Sequence, residues 1–260
     1  MIKKEEIVEN WLPRYTGLEI DEFGDYIILV NFLGYVNLFC ELTGAKINGL
    51  DKAMPNATHD GITIINFGMG SANAATIMDL LSAKDPKAVL FLGKCGGLKK
   101  KNKLGDFILP LAAIRAEGTS DAYMPVKVPA LPAFSLQKSV SSVMNRQYNK
   151  DYWTGTVFTT NRRVWEHDKD FKKRLTKTRA MAIDMETATI FTVGFYNELP
   201  CGALLLVSDQ PMVPEGVKTS ASDAYVSSNY MKLHMEIGID SLKELQNNGT
   251  SVKHLRFEYD

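Results

Sequence analysis

The feature that most constrains this 260-residue chain is a series of short, continuous apolar runs, each closed by glycine or charged residues. They are YIILVNF from Tyr26, GITIINFG from Gly61, AVLFLGKCGG from Ala88, DFILPLAAI from Asp106, WTGTVFTT from Trp153, RAMAID from Arg179 and GALLLVSD from Gly202. Strict alternation would fit a strand with one wet face, whereas several of these runs are unbroken and fit strands covered on both faces. Helical patterns lie between them: SANAATIMDLLSA from Ser71, RRVWEHDKDFKKRLTKT from Arg162, METATIFTVGFYNE from Met185, and a long one from about Asp223 to Asn247. Strands alternating with helices predict an α/β fold, a single domain with a mostly parallel central sheet flanked by helices.

Nothing splits the chain. There is no internal repeat, no low-complexity segment and no flexible linker, and MPVKVPALPAF from Met124 reads as a proline-punctuated loop. The expectation is one catalytic domain over 1–260, with an N-terminal helical extension at 1–25 and a C-terminal arm at 248–260 that leaves the last helix at Asn248-Gly249. A content of 45% hydrophobic and 23% charged residues suits a globular domain with a large core. The formal net charge is zero, so no bulk field draws the chain to nucleic acid or an anionic membrane. The run Lys99, Lys100, Lys101 and Lys103 reads as a solvated turn. No apolar run approaches the roughly 20 residues that span a bilayer, and the charged start MIKKEEIVENWLPRY lacks a signal core, which predicts a cytoplasmic protein. Cys40, Cys95 and Cys201 are odd in number and far apart, which argues for free thiols over disulfides or a zinc site.

In open α/β sheets ligands bind beyond the carboxyl ends of strands. Five such ends carry glycine, acid or base: NFGMGSANA, GKCGGL, VFTTNRR, IDMET and VSDQP. GMGSAN lacks the third glycine of a dinucleotide fingerprint, and no acid follows at the required distance, so it offers close backbone approach and a helix N-terminus instead. Asp184 and Glu186 sit where an apolar run turns into a helix, and two readings are open. Either they cap and fill the first helical turn, or a ligand needs them. Asp209 ends the apolar GALLLV run, and it is either a turn acid before Pro211 or a desolvated proton donor.

Taken in order, GMGSANA, GKCGGL, TGTVFTTN, IDMETAT and VSDQP resemble the nucleoside phosphorylase and nucleosidase superfamily, whose members cleave the bond between a base and ribose. Within it the resemblance is strongest to the catalytic domain of bacterial AMP nucleosidases, through CGGL, AIDMETATI, LLLVSDQP and HMEIGIDSL, and it runs from about Tyr26 to the C-terminal tail. The resemblance implies that Glu186 holds the ribose hydroxyls, with Met185 and the Met69–Gly70 loop beside it, and leaves Asp184 as a structural acid. It further implies that Asp209, after Ser208, protonates purine N7, that Phe158 stacks on the base, and that the backbone around Thr159 reads it. These residue types suit the chemistry, because cleavage builds positive charge on the sugar and negative charge on the leaving base.

The phosphorylases of this superfamily hold phosphate with a Gly-Asp-Pro-x-Arg turn after the first strand and an Arg before the CGG strand end. This chain has VNFLGYV and Phe91 at those places. Without those arginines, water becomes the expected nucleophile. Lys94, Arg115, Arg162 and Arg163 are the candidates for a substrate 5′-phosphate. The resemblance therefore implies hydrolysis of AMP to adenine and ribose 5-phosphate, with no cofactor, by a homo-oligomer, a hexamer by family habit. Since the chain begins about where the catalytic domain of the longer enzymes would, it also implies activity without ATP activation. Two alternatives stand beside it: a purine nucleosidase or phosphorylase acting on unphosphorylated nucleosides, and a nucleotide-binding sensor without turnover.

Overall fold

Strand β4 (Ala88–Gly97) organises the architecture of the computed structural model, which describes residues 2–247. Its first residues pair in parallel with β1 (Tyr26–Val30), from Tyr26 opposite Ala88 to Leu29 opposite Phe91. Its last two, Gly96 and Gly97, pair antiparallel with β7 (Ala182–Asp184). Along its other edge runs β8 (Cys201–Asp209), parallel from Cys201 opposite Val89 to Asp209 opposite Gly96. One strand thus pairs with three others within a single eight-stranded sheet, and its register against β8 shifts at Cys95/Gly96.

On the β1 side the sheet continues through β3 (Ile62–Asn66), parallel, to an antiparallel edge strand β2 (Asn56–His59). On the other side β7 pairs in parallel with β6 (Trp153–Thr160), β6 with β5 (Phe107–Ala116), and β5 returns antiparallel to β8. The circuit β4-β7-β6-β5-β8 closes on itself as a five-stranded barrel with β1-β3-β2 as its flange. The sheet is mixed, which corrects the expectation of a mostly parallel one: β2–β3, β4–β7 and β5–β8 are antiparallel. Closure hides strand edges that an open sheet would expose.

The unbroken apolar runs are explained by cover on both faces. Along β4, Val89, Phe91 and Cys95 face one core, while Ala88, Leu90 and Leu92 face the other. The first core is closed by α1 (Lys4–Thr16), α3 (Ser71–Leu80) and α6 (Thr187–Tyr196). The second is closed by α2 (Leu33–Thr43), α4 (Phe134–Gln147) and α7 (Ser220–Asn247). No helix among the described residues is long and apolar enough to cross a membrane. The expected arm at 248–260 lies outside the described residues.

Two helix boundaries differ from expectation in a way that shapes the site. The helix expected from Arg162 starts only at Lys169, as α5 (Lys169–Thr178), because Asp168 caps it by accepting from the N–H groups of Asp170 and Phe171. Residues 162–167 therefore remain a loop. The helix expected from Met185 starts at Thr187, which leaves Met185 and Glu186 in the turn after β7.

Candidate active site

The five strand ends named by the sequence converge on one cavity of about 300 Å³. Met69 comes from the β3–α3 loop, Lys94, Cys95 and Gly96 from the end of β4, and Thr160, Arg162 and Arg163 from the end of β6 and the loop after it. Asp184, Met185 and Glu186 come from the β7–α6 turn, and Ser208 and Asp209 from the end of β8. A Cβ at Gly96 would stand 3.0 Å from Pro211 and 3.2 Å from Asp209 Oδ2, so a side chain there would crowd the acid.

The two acids of the β7–α6 turn have separate roles. Asp184 Oδ1 accepts from Thr159 Oγ1 at 2.7 Å, and its Oδ2 accepts from the Thr187 N–H at 2.9 Å and from the Thr187 hydroxyl. These partners hold the turn together, and Asp184 also lines the cavity. Glu186 is buried. Its Oε1 accepts from Gly70 N–H at 2.7 Å and its Oε2 from Met185 N–H at 3.2 Å. Gly70 can present that N–H because it adopts φ +95°, open to glycine at little cost. Burial first, and the adjacent Asp184 charge second, push the Glu186 carboxyl up to about 7, against the pull of its hydrogen bonds. Asp209 is likewise raised above the ordinary carboxylate range by burial, opposed by a 2.7 Å hydrogen bond from Ser208 Oγ and by the positive charges of Lys218 and Arg163. Cys95 is a buried free thiol, with its pKa raised by burial.

Four expected site residues do not line the cavity. Arg115 is only 4% exposed and fully engaged with its own loop. It donates to Ser120 Oγ, to the carbonyls of Met124, Pro125 and Val128, and to Asp121. It does not line the cavity and has no donor to spare for a phosphate. Phe158 is half-buried against Phe171 in a small cluster with Trp165 and Ile183, also outside the cavity lining. Thr159 is buried, with its hydroxyl committed to Asp184 and to the Ala188 N–H. Gly70 acts through its hydrogen bond to Glu186 rather than as a lining residue.

Other lining residues went unread in the sequence. Trp165 is an aromatic that lines the cavity, left outside α5 by that helix's late start. Asn31 and Phe32 follow β1, and a polar residue at a strand's carboxyl end was the available signal. The buried Asn31 side chain hydrogen-bonds Glu186, while its Oδ1 makes no hydrogen bond among the described residues. Lys218 and Asp223 arrive from the β8–α7 loop and from α7, with no local pattern to announce them.

Residues 25–237 match the sequence profile of the phosphorylase superfamily. The chain belongs to that superfamily. Among relatives, it is similar to the AMP nucleosidase of Escherichia coli strain K12, 29% identical across 92% of this chain. It spans 58% of that relative's length. The crystal structure of AMP nucleosidase from Bacteroides thetaiotaomicron VPI-5482 is 53% identical, with a TM-score of 0.85 over 95% of this chain and 99% of that one. Uridine phosphorylase from Vibrio fischeri ES114, 23% identical with a TM-score of 0.77 over 87% of this chain and 95% of its own, shares the superfamily fold.

Proposed function

We propose that this chain is an N-glycosyl hydrolase that cleaves AMP into adenine and ribose 5-phosphate. The observation that carries the proposal is the pairing of Asp209 and Glu186 in one cavity, two carboxyls from different strand ends, both raised above the ordinary range. The similarity to the Bacteroides thetaiotaomicron AMP nucleosidase supports the choice of substrate.

Breaking the bond between C1′ and N9 sends its electron pair into adenine. Asp209 in its acid form gives N7 a proton and so neutralises the leaving group. Glu186 as the carboxylate accepts hydrogen bonds from the ribose 2′ and 3′ hydroxyls, orienting the ring and stabilising its developing positive charge. Asn31 Oδ1 supplies a second acceptor for a hydroxyl. Water adds its oxygen to C1′, and its released proton restores Asp209. Trp165, which lines the cavity although only 4% exposed, offers an aromatic edge there, in place of Phe158, which does not line it.

The proposal extends to a homo-oligomeric, hexameric enzyme of the cytoplasm, where the free thiols of Cys40, Cys95 and Cys201 stay reduced. The deciding test is base release from AMP, adenosine and IMP in phosphate-free buffer, then with phosphate added. Adenine from AMP without phosphate is the expected result. Tight AMP binding with no base release would leave only a sensor.

A further inference from the structure

We infer that the Lys99–Lys103 turn and α5 form one basic face beside the cavity, which draws in a phosphate-bearing nucleotide before the ligand touches anything inside. The two segments are far apart in sequence and joined in the fold. Lys99 Nζ donates to the Arg179 carbonyl at 2.9 Å, and the Leu98 N–H donates to the Met181 carbonyl at 2.9 Å. Leu98 also packs on the cluster of Trp165, Leu175 and Ile183, which Phe171 of α5 joins. The face reaches the cavity through the Phe171 ring, since the guanidinium carbons of Arg162 and Arg174 lie 5.5 and 5.7 Å from its centre. Arg162 and Arg163 line the cavity, and Arg174 is exposed on α5.

Charge sets this face apart. Residues 98–106 and 162–179 carry twelve basic and four acidic side chains, a net +8 in a chain whose formal charge is zero. Glu166, Asp168 and Asp170 are held in ion pairs by Arg163, Arg162 and Lys173, at 3.6, 2.6 and 3.4 Å. The fourth acid, Asp106, accepts from the Lys103 N–H and from the Trp153 ring N–H. The nine other cations form no ion pair among the described residues. Lys169, Lys173 and Lys177 are exposed four residues apart along α5, a like-charge spacing that destabilises a helix, so the fold itself has no use for them. A cleft rimmed by one sign of charge raises the local concentration and arrival rate of an opposite ion by about 10–10³. A phosphate monoester carries about −1.5 to −2 charges at pH 7 and feels this field, whereas an unphosphorylated nucleoside is uncharged and does not.

The inference rests on the proposed reading that the cavity takes a nucleotide. Formycin 5′-monophosphate, an AMP analogue whose carbon–carbon glycosidic bond cannot be hydrolysed, and its uncharged nucleoside formycin A measure binding without turnover. Calorimetric titrations at about 20 mM and about 0.5 M salt let charges act over about 20 Å and about 4 Å respectively. At low salt, K100E/K101E and K173E/K177E should each weaken the monophosphate by about tenfold and leave formycin A within about twofold of the parent. At high salt the loss should shrink to about twofold, because a screened field no longer reaches the cavity, whereas a damaged fold would bind poorly at either salt. No low-salt loss in either variant, a loss that persists at high salt, or an equal loss for formycin A would overturn the basic face. Failure of the parent to bind the monophosphate would overturn it too. Adenine release from AMP by the parent keeps the two readings apart. Release by a parent whose variants bind normally retains the hydrolysis and removes the face. The expected salt pattern without release retains the face and removes the hydrolysis.

Discussion

At the scale of single residues, the site is a contrast between two acids only two positions apart. Asp184 spends its oxygens on Thr159 and Thr187 and serves the fold, whereas Glu186 is buried with capacity left for a ligand. Asp209→Asn removes the proton donor, and kcat for adenine release should fall by about 10²–10⁴ while KM changes little. An unchanged kcat would remove Asp209 from the chemistry. Glu186 makes a prediction about stability because its carboxyl rises from an ordinary 4.5 to about 7 on folding, equivalent to about 3 kcal/mol. Below about pH 4.5 the group is protonated in both states and costs nothing. Between there and about pH 7 the folded protein keeps a proton that the unfolded chain releases, so stability drops as pH rises. Glu186→Gln abolishes this slope. The Tm of the variant relative to the parent should climb by several degrees between pH 5 and pH 8, and a flat difference would mean that Glu186 stays ionised. The same titration should make kcat/KM of the parent fall on acidification through about pH 7, as the ribose loses its carboxylate acceptor.

At the scale of elements, Arg115 shows how a cation near the end of a strand can serve the backbone alone. It follows the β5 run that the sequence identified, yet its guanidinium holds the carbonyls of residues 124, 125 and 128. Arg115→Ala leaves those acceptors without their donor, so stability should fall by about 3 kcal/mol, a Tm loss of several degrees. KM for AMP should move little in the folded fraction. A selective rise in KM without loss of stability would return Arg115 to the phosphate site. The elements legible in sequence were those with a local signal. Short apolar runs marked β1 and β3 to β8, and the polar ends of several of them marked most of the cavity. The helix α2 was missed because it starts at Leu33 straight after β1 with no capping side chain, and α4 because it starts uncapped after a proline loop. Strand β2, NATH, has no apolar pattern and exists through its pairing with β3. Phe158 carries the stacking role only through the resemblance, and Trp165, which lines the cavity, lies in a stretch whose sequence reads as helix. Lys218 could not be found locally, since only the return of α7 to the sheet brings it to the cavity.

At the scale of the whole molecule, barrel closure gathers the ends of β4, β6, β7 and β8 around one cavity, and the antiparallel returns of β7 and β5 that achieve it are tertiary facts with no local signature. Closure satisfies the sheet edges but leaves an apolar face uncovered elsewhere. Phe134, 72% exposed at the start of α4, stands with Leu131 at the rim of a groove of about 380 Å³ lined also by Pro132, Phe195 and Leu199. A contiguous apolar patch of this kind marks an interaction surface more often than a bare one, and the proposed homo-oligomer supplies its occupant, a second copy of the chain. Sedimentation equilibrium should then give the parent a mass that is a multiple of 29.0 kDa. Phe134→Asp places a charge where the interface would desolvate it, and should shift the mass toward the monomer with the far-ultraviolet circular dichroism unchanged. The exposed side chain makes no large contribution to the core, so the variant isolates assembly from folding. A parent that sediments as a monomer would dispose of the oligomer, and an assembled Phe134→Asp protein would move the interface to another face.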